Sequence, residues 1–152
     1  MINSFDNYLK QGKAKRKTPD PEEAEALIKQ SQERINYIKN NKINKTTAKF
    51  ILEDSYEAIR ESSQSLMSIK GFKPYSHEAT ISFIKENHKE FTEEEINTIN
   101  QLRIMRNNSI YKAQPINKKD AEQALDFAIK FTKKAKITLR NTAVASCDAF
   151  SS

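Results

Sequence analysis

A chain of 152 residues with 37% hydrophobic and 30% charged positions can enclose one core, yet two glycines and four prolines leave it few places to turn. Val144 is the single valine, so strand-type runs are excluded, and the one cysteine, Cys147, excludes an internal disulfide framework or a thiolate zinc site. Net charge is +6, which permits attraction to nucleic acid without requiring it.

In chain order, "SFDNYLKQG" is a short helix. Ser4 caps it, Phe5, Tyr8 and Leu9 form a small apolar edge, and Gly12 ends it. "KQGKAKRK", residues 10–17, holds five positive charges in eight positions. Its Lys13, Lys15, Arg16 and Lys17 suit a flexible cationic arm on a phosphate backbone. The same run also reads, more simply, as a solvated connector. Asp20 and Pro21 supply an N-cap and a first-position proline, with Glu22 and Glu23 in the favourable first turn. The second helix runs to about Asn40 on the stripe Ala24, Leu27, Ile28, Ser31, Ile35 and Ile38.

After the polar link "NNKINK", a third helix runs from about Thr46 to Lys70. Its stripe includes Leu52, Tyr56, Ile59 and Leu66, and Gly71 stops it. "FKPY" is a turn, and Ser76 caps a fourth helix over about 77–89. Thr92 with Glu95 forms a capping box for a fifth helix ending near Lys112. Asn117 caps a sixth, about 118–141, on Ala121, Ala124, Leu125, Ala128, Phe131, Ala135 and Leu139. This helix also shows a basic face from Lys130 to Arg140. The closing "NTAVASCDAFSS" is small, aperiodic and expected to fray.

The expected fold class is all-α: an up-and-down antiparallel bundle of four to five main helices plus a short N-terminal one. Residues 1–18 form the short helix and basic connector, 19–141 the bundle, and 142–152 a flexible tail. No run approaches the roughly 18 apolar residues of a membrane span. No signal peptide is expected, and a cytoplasmic location fits the single cysteine.

The fifth helix poses the main question. On a helical projection Ile96, Ile99, Leu102 and Ile110 share one side, and Arg106 falls in the middle of it with Arg103 beside it. A guanidinium there needs a partner. It pairs with a carboxylate of the third helix (Glu53, Asp54, Glu57 or Glu61), lines a groove or subunit interface that reaches an anionic ligand, or snorkels to water. Asn107, about a quarter turn away, extends the polarity and favours a shared polar seam.

Other chemistry is sparse. His77 and His88 share a face of the fourth helix but stand roughly 16 Å apart along its axis, too far to share a metal. His77 is a first-turn residue and His88 a solvent-facing one. Nucleophile elbows, phosphate-cradling glycine loops and Cys/His clusters are missing, so neither metal nor cofactor is implied.

"AKFILEDSYEAIRESSQSLMSIKGFKPYSHEATISFI" followed by "INTINQLRIMRNNSIY" resembles the HEPN superfamily, named for nucleotide binding in higher eukaryotes and prokaryotes. The resemblance spans about residues 20–140 and rests on the order of a Tyr-Glu-Ala-Ile-Arg helix, a Gly-Phe-Lys turn into Ser-His-Glu, and a Leu-Arg-x-x-Arg-Asn helix. It implies an antiparallel bundle, often a homodimer. Many members are metal-independent ribonucleases with an R-x4–6-H motif. Here Arg106 and Asn107 match its first part, Tyr111 stands where the histidine belongs, and no histidine follows Arg106.

Tyrosine, with a pKa near 10, is a poor proton carrier at neutral pH beside histidine's 6.5. The resemblance therefore implies binding of RNA or a nucleotide at a dimer cleft, by Arg103, Arg106, Asn107 and Tyr111, with weak or absent cleavage. His77, on the preceding helix, is the candidate to substitute in space for the missing imidazole, which only a structure can test. Related HEPN proteins pair with minimal nucleotidyltransferases as toxin–antitoxin modules, which makes such a protein a candidate partner. The alternatives are a ribonuclease centred on Arg106, and a purely structural bundle whose arginines pair internally.

Overall fold

The computed structural model describes residues 2–151, apart from the side chains at positions 144 and 146–151. Its elements are α1 (Phe5–Lys10), β1 (Ala14–Arg16), α2 (Pro21–Ile38), α3 (Ala48–Lys70), β2 (Phe72–Pro74), α4 (His77–Asn87), α5 (Glu93–Lys112) and α6 (Lys118–Ser151). The fold is all-α apart from one small ribbon.

Local chemistry sets most of the boundaries. Ser4, Asp20 and Ser76 each accept a hydrogen bond from the backbone N–H three residues on, satisfying a donor that the first turn leaves free. Thr92 and Glu95 bond reciprocally as a capping box. Gly71 closes α3 at φ +85°, and a Cβ built there would lie 2.6 Å from the Lys17 carbonyl oxygen. Only glycine fits that combination of handedness and close approach.

α3 lies at the centre and packs against α2, α4, α5 and α6. Cross-links reveal the directions. The Ser31 hydroxyl donates to the Ala58 carbonyl at 2.7 Å, and the Ser65 hydroxyl to the Ala24 carbonyl at 2.6 Å, so α3 descends as α2 climbs. Arg106 faces Glu57 and Ser109 faces Glu53, so α5 runs opposite to α3. Lys134 bonds Glu95 at 2.9 Å, which ties the start of α5 to the middle of α6 and, with the short link 113–117, makes the two run antiparallel. The result is the expected up-and-down order, with α4 inserted. Small buried residues on both partners, Ser55, Ala58 and Ser62 on α3 and Ala121, Ala128 and Ala135 on α6, let α3 and α6 approach closely.

Three features depart from the sequence reading. First, the basic run does not hang free. Ala14–Arg16 pairs antiparallel with Phe72–Pro74, and Tyr75 N–H donates to the Lys13 carbonyl at 2.8 Å. Three-residue strands are too short to show a period, and their pairing depends on residues nearly sixty positions apart. Second, Phe5 and Tyr8 are core residues, not an apolar edge. Phe5 meets Phe72 and Phe83 edge-on at 5.2 and 5.3 Å, and Tyr8 is 1% exposed. Third, α6 continues to Ser151, where the sequence reading ends it at 141. Ala143 and Ala145 favour helix, and neither glycine nor proline follows to stop it. Ser152 lies outside the described residues.

Among the described residues no helix is long and apolar enough to cross a membrane.

Candidate functional site

Three elements meet at one corner. α3 supplies Tyr56, Glu57 and Arg60, the first turn of α4 supplies His77 and Glu78, and α5 supplies Arg103, Arg106 and Asn107. Tyr56 sits at its base, 2% exposed, its ring stacked on the His77 imidazole at 5.5 Å. The Arg106 guanidinium lies 5.9 Å from the centre of the Tyr56 ring, so a cation rests on the electron-rich face of an aromatic.

Pairing is incomplete. Arg106 Nη2 reaches Glu57 Oε1 only at 3.4 Å, and Nη1 donates to Asn107 Oδ1 at 3.2 Å. Its Nε is buried and has no partner among the described residues. Glu57 is not available to close this gap, because its other oxygen receives Arg60 Nη2 at 2.8 Å. Arg103 Nη1 stands 3.5 Å from Glu78 Oε1, and its Nε donates to Asn100 Oδ1 at 3.0 Å. Three guanidiniums thus share two carboxylates. Between α3 and the β2–α4 turn, a cleft of about 190 Å³ opens onto Arg60, Gln64, Tyr75 and His77.

Electrostatics fixes the protonation at the centre. Burial, opposed by the nearby arginines, pushes the Tyr56 phenol above its usual range, so it keeps its proton. Its oxygen lies 2.8 Å from His77 Nδ1 and has no other side-chain partner among the described residues. The phenol therefore donates to Nδ1, and the neutral imidazole carries its own proton on Nε2. Burial first, then the charges of Arg106 and Arg60, hold the His77 pKa below 6.5. At neutral pH this histidine offers a donor, not a base, at Nε2. Arginine N–H groups beside an imidazole N–H suit an oxyanion such as phosphate.

Of the sequence-derived site residues, Arg103, Arg106, Asn107 and His77 come together here. Tyr111 does not join them. Five positions along α5 turn it about 140° from Arg106, and it is 76% exposed. The motif spacing that leads to Tyr111 therefore ends on another face of α5. Ile110, assigned to the buried side, is also exposed. Lys13, Lys15, Arg16 and Lys17 make no hydrogen bond or ion pair with the described residues of this corner. Arg16 lies over Phe72, and Lys17 bonds Glu23 and Ser68.

His88 is not solvent-facing: α4 ends at Asn87, and the non-helical backbone at His88 folds its ring against Phe83 and Phe91, with Nδ1 2.9 Å from Glu90. A cleft of about 680 Å³ beside it shares no residue with the arginine corner. Among the described residues no three His, Cys, Asp or Glu side chains gather as a metal would need.

Sequence reasoning placed Tyr56 in the core stripe and missed its bond to His77. The available signal was the Tyr56, Glu57, Arg60 spacing, which puts a phenol, a carboxylate and a cation within one turn.

No curated protein and no solved structure matches the chain. The family model of the HEPN domain matches residues 16–138, from the end of the ribbon's first strand through most of α6 and including every residue of the arginine corner, and the chain belongs to the HEPN domain family.

Proposed function

We propose that the corner formed by Arg60, Arg103, Arg106 and His77 binds the phosphate of a nucleotide or an RNA strand, and that the protein works as a binding and interaction module. The observation that carries this reading is the open valence of Arg106: a buried Nε with no partner and a long, shared contact to Glu57. A buried guanidinium N–H left unbonded is costly, and a bound oxyanion relieves it. The Nε2–H form of His77 adds a donor and withholds a base, which favours binding over cleavage.

The working unit is a homodimer joined through the outer face of α5, where Ile104 and Tyr111, seven residues apart, are both exposed. A minimal nucleotidyltransferase, in a toxin–antitoxin pair within the cytoplasm, is the partner that the family resemblance offers. The neighbouring gene tests that pairing, and light scattering tests the dimer.

Binding is measured by fluorescence anisotropy with a labelled single-stranded RNA, and cleavage of the same RNA is followed on a gel. Arg106→Ala is expected to weaken binding about tenfold, the loss of one charge-assisted contact, with intact RNA throughout. Cleavage by the wild type that disappears in Arg106→Ala overturns the binding-module reading in favour of a ribonuclease with His77 moving the proton. Unchanged affinity in the variant removes the site altogether.

A further inference from the structure

On the far side of α3 from the arginine corner, α2 and α6 leave a groove between them. Clefts of about 550, 390 and 130 Å³ follow one another along it, all three lined by Lys136 and Arg140. Its walls carry Lys29, Lys39, Lys133, Lys136 and Arg140, none of them in an ion pair among the described residues. By contrast their neighbours on α6, Lys130 and Lys134, are held by Asp126 and Glu95. Glu25, at one end, is the one carboxylate residue among the described residues lining these clefts. Between the cations, Ile129 and Ile137 are 38% and 52% exposed.

The mixture selects its occupant. A nucleic-acid strand would satisfy the cations, but among the described residues the groove has no aromatic ring on which a base stacks. Two exposed isoleucines between lysines call for apolar side chains flanked by carboxylates. A second copy of this chain, itself at +6, brings the wrong charge. From Glu25 to Lys39 the groove is about 21 Å long, or about four helical turns.

We propose that the α2–α6 groove is the docking surface for an acidic amphipathic helix of a partner protein, with its apolar face on Ile129 and Ile137 and its carboxylates on Lys133, Lys136 and Arg140. This is the helix-in-groove mode of recognition with charge complementarity at the rim. It does not rest on the reading of the arginine corner.

The test uses the full chain and a labelled synthetic peptide of about 16 residues, with leucines along one helical face and glutamates elsewhere. A second peptide has the same composition with the leucines scattered. The first peptide should bind about tenfold more tightly than the second and gain helicity by circular dichroism. Ile129→Ser with Ile137→Ser, and separately Lys133→Glu with Lys136→Glu, should each weaken it about tenfold or more. Both pairs sit on exposed or half-exposed positions, and far-UV dichroism verifies their fold. Arg106→Ala should leave peptide binding unchanged. Equal binding of the two peptides, no binding of either, or indifference to the isoleucine pair overturns the proposal. Loss of RNA binding in the lysine pair, with the peptide unaffected, reassigns the groove to nucleic acid.

Discussion

Two arginines reach α3 from different neighbouring helices, and only one is held by two carboxylates. Arg34, on α2, donates from Nε to Glu61 at 2.5 Å and from Nη1 to Asp54 at 2.9 Å. These carboxylates stand seven residues apart, two turns along one face of α3, so they grip the guanidinium at both ends. Arg106, on α5, has a single carboxylate at 3.4 Å, shared with Arg60, and an Nε with nothing. Similar charges on the same central helix thus give a closed clamp in one case and an open cation in the other. The closed clamp belongs to the fold, and the open cation is the one to which the proposed function assigns the ligand.

The contrast breaks most visibly in stability. Glu61 is 1% exposed, so Arg34→Ala strands a buried carboxylate and should cost about 3 kcal/mol. Arg106→Ala leaves only the more exposed Glu57, already paired with Arg60, and should cost about 1 kcal/mol or less. Denaturant unfolding of the two variants checks the order. A larger loss for Arg106→Ala would make it the structural arginine and leave the corner with no spare valence.

The sequence carried much of this, unevenly. Arg106's position against the core was visible on a helical projection, because Ile96, Ile99 and Leu102 define the buried side one residue at a time. Its partner was one of four carboxylates, and only the rotation of α3 selects Glu57. Caps at Ser4, Asp20, Ser76 and Thr92 were legible because each bond spans three residues. The ribbon was not, since Lys17 N–H bonds the Gly71 carbonyl, a contact set by tertiary placement of two loops. Nor was the Tyr56–His77 bond, because a tyrosine in an apolar stripe looks the same whether its hydroxyl is bonded or bare.

The two histidines extend the contrast to pH. Burial lowers both pKa values, assisted at His77 by Arg106 and Arg60. Below about 6.5 the unfolded chain then binds more protons than the folded one, so stability should fall as pH drops through that window. A ligand separates them. Phosphate at the arginine corner favours the imidazolium of His77 and should raise its pKa, while His88, closed in by Phe83 and Phe91, should stay where it is. By the same linkage, RNA affinity should rise as pH falls. Imidazole resonances titrated with and without RNA report both groups at once, and a His77 that ignores RNA would place the phosphate elsewhere.

The smallest effect belongs to Tyr111, the residue standing at the family's histidine position. It is 76% exposed and, among the described residues, its hydroxyl makes no side-chain hydrogen bond. Tyr111→Ala should therefore change monomer stability by less than about 0.5 kcal/mol. RNA affinity measured per chain should also hold, since the side chain points away from Arg106. Light scattering gives the remaining readout: if α5 meets its symmetry mate along Ile104 and Tyr111, losing the ring weakens the dimer. A Tyr111→Ala protein that keeps its dimer but loses RNA would mean that the phosphate lies across α5 from the arginine corner, because a side chain on that face reaches a ligand only there.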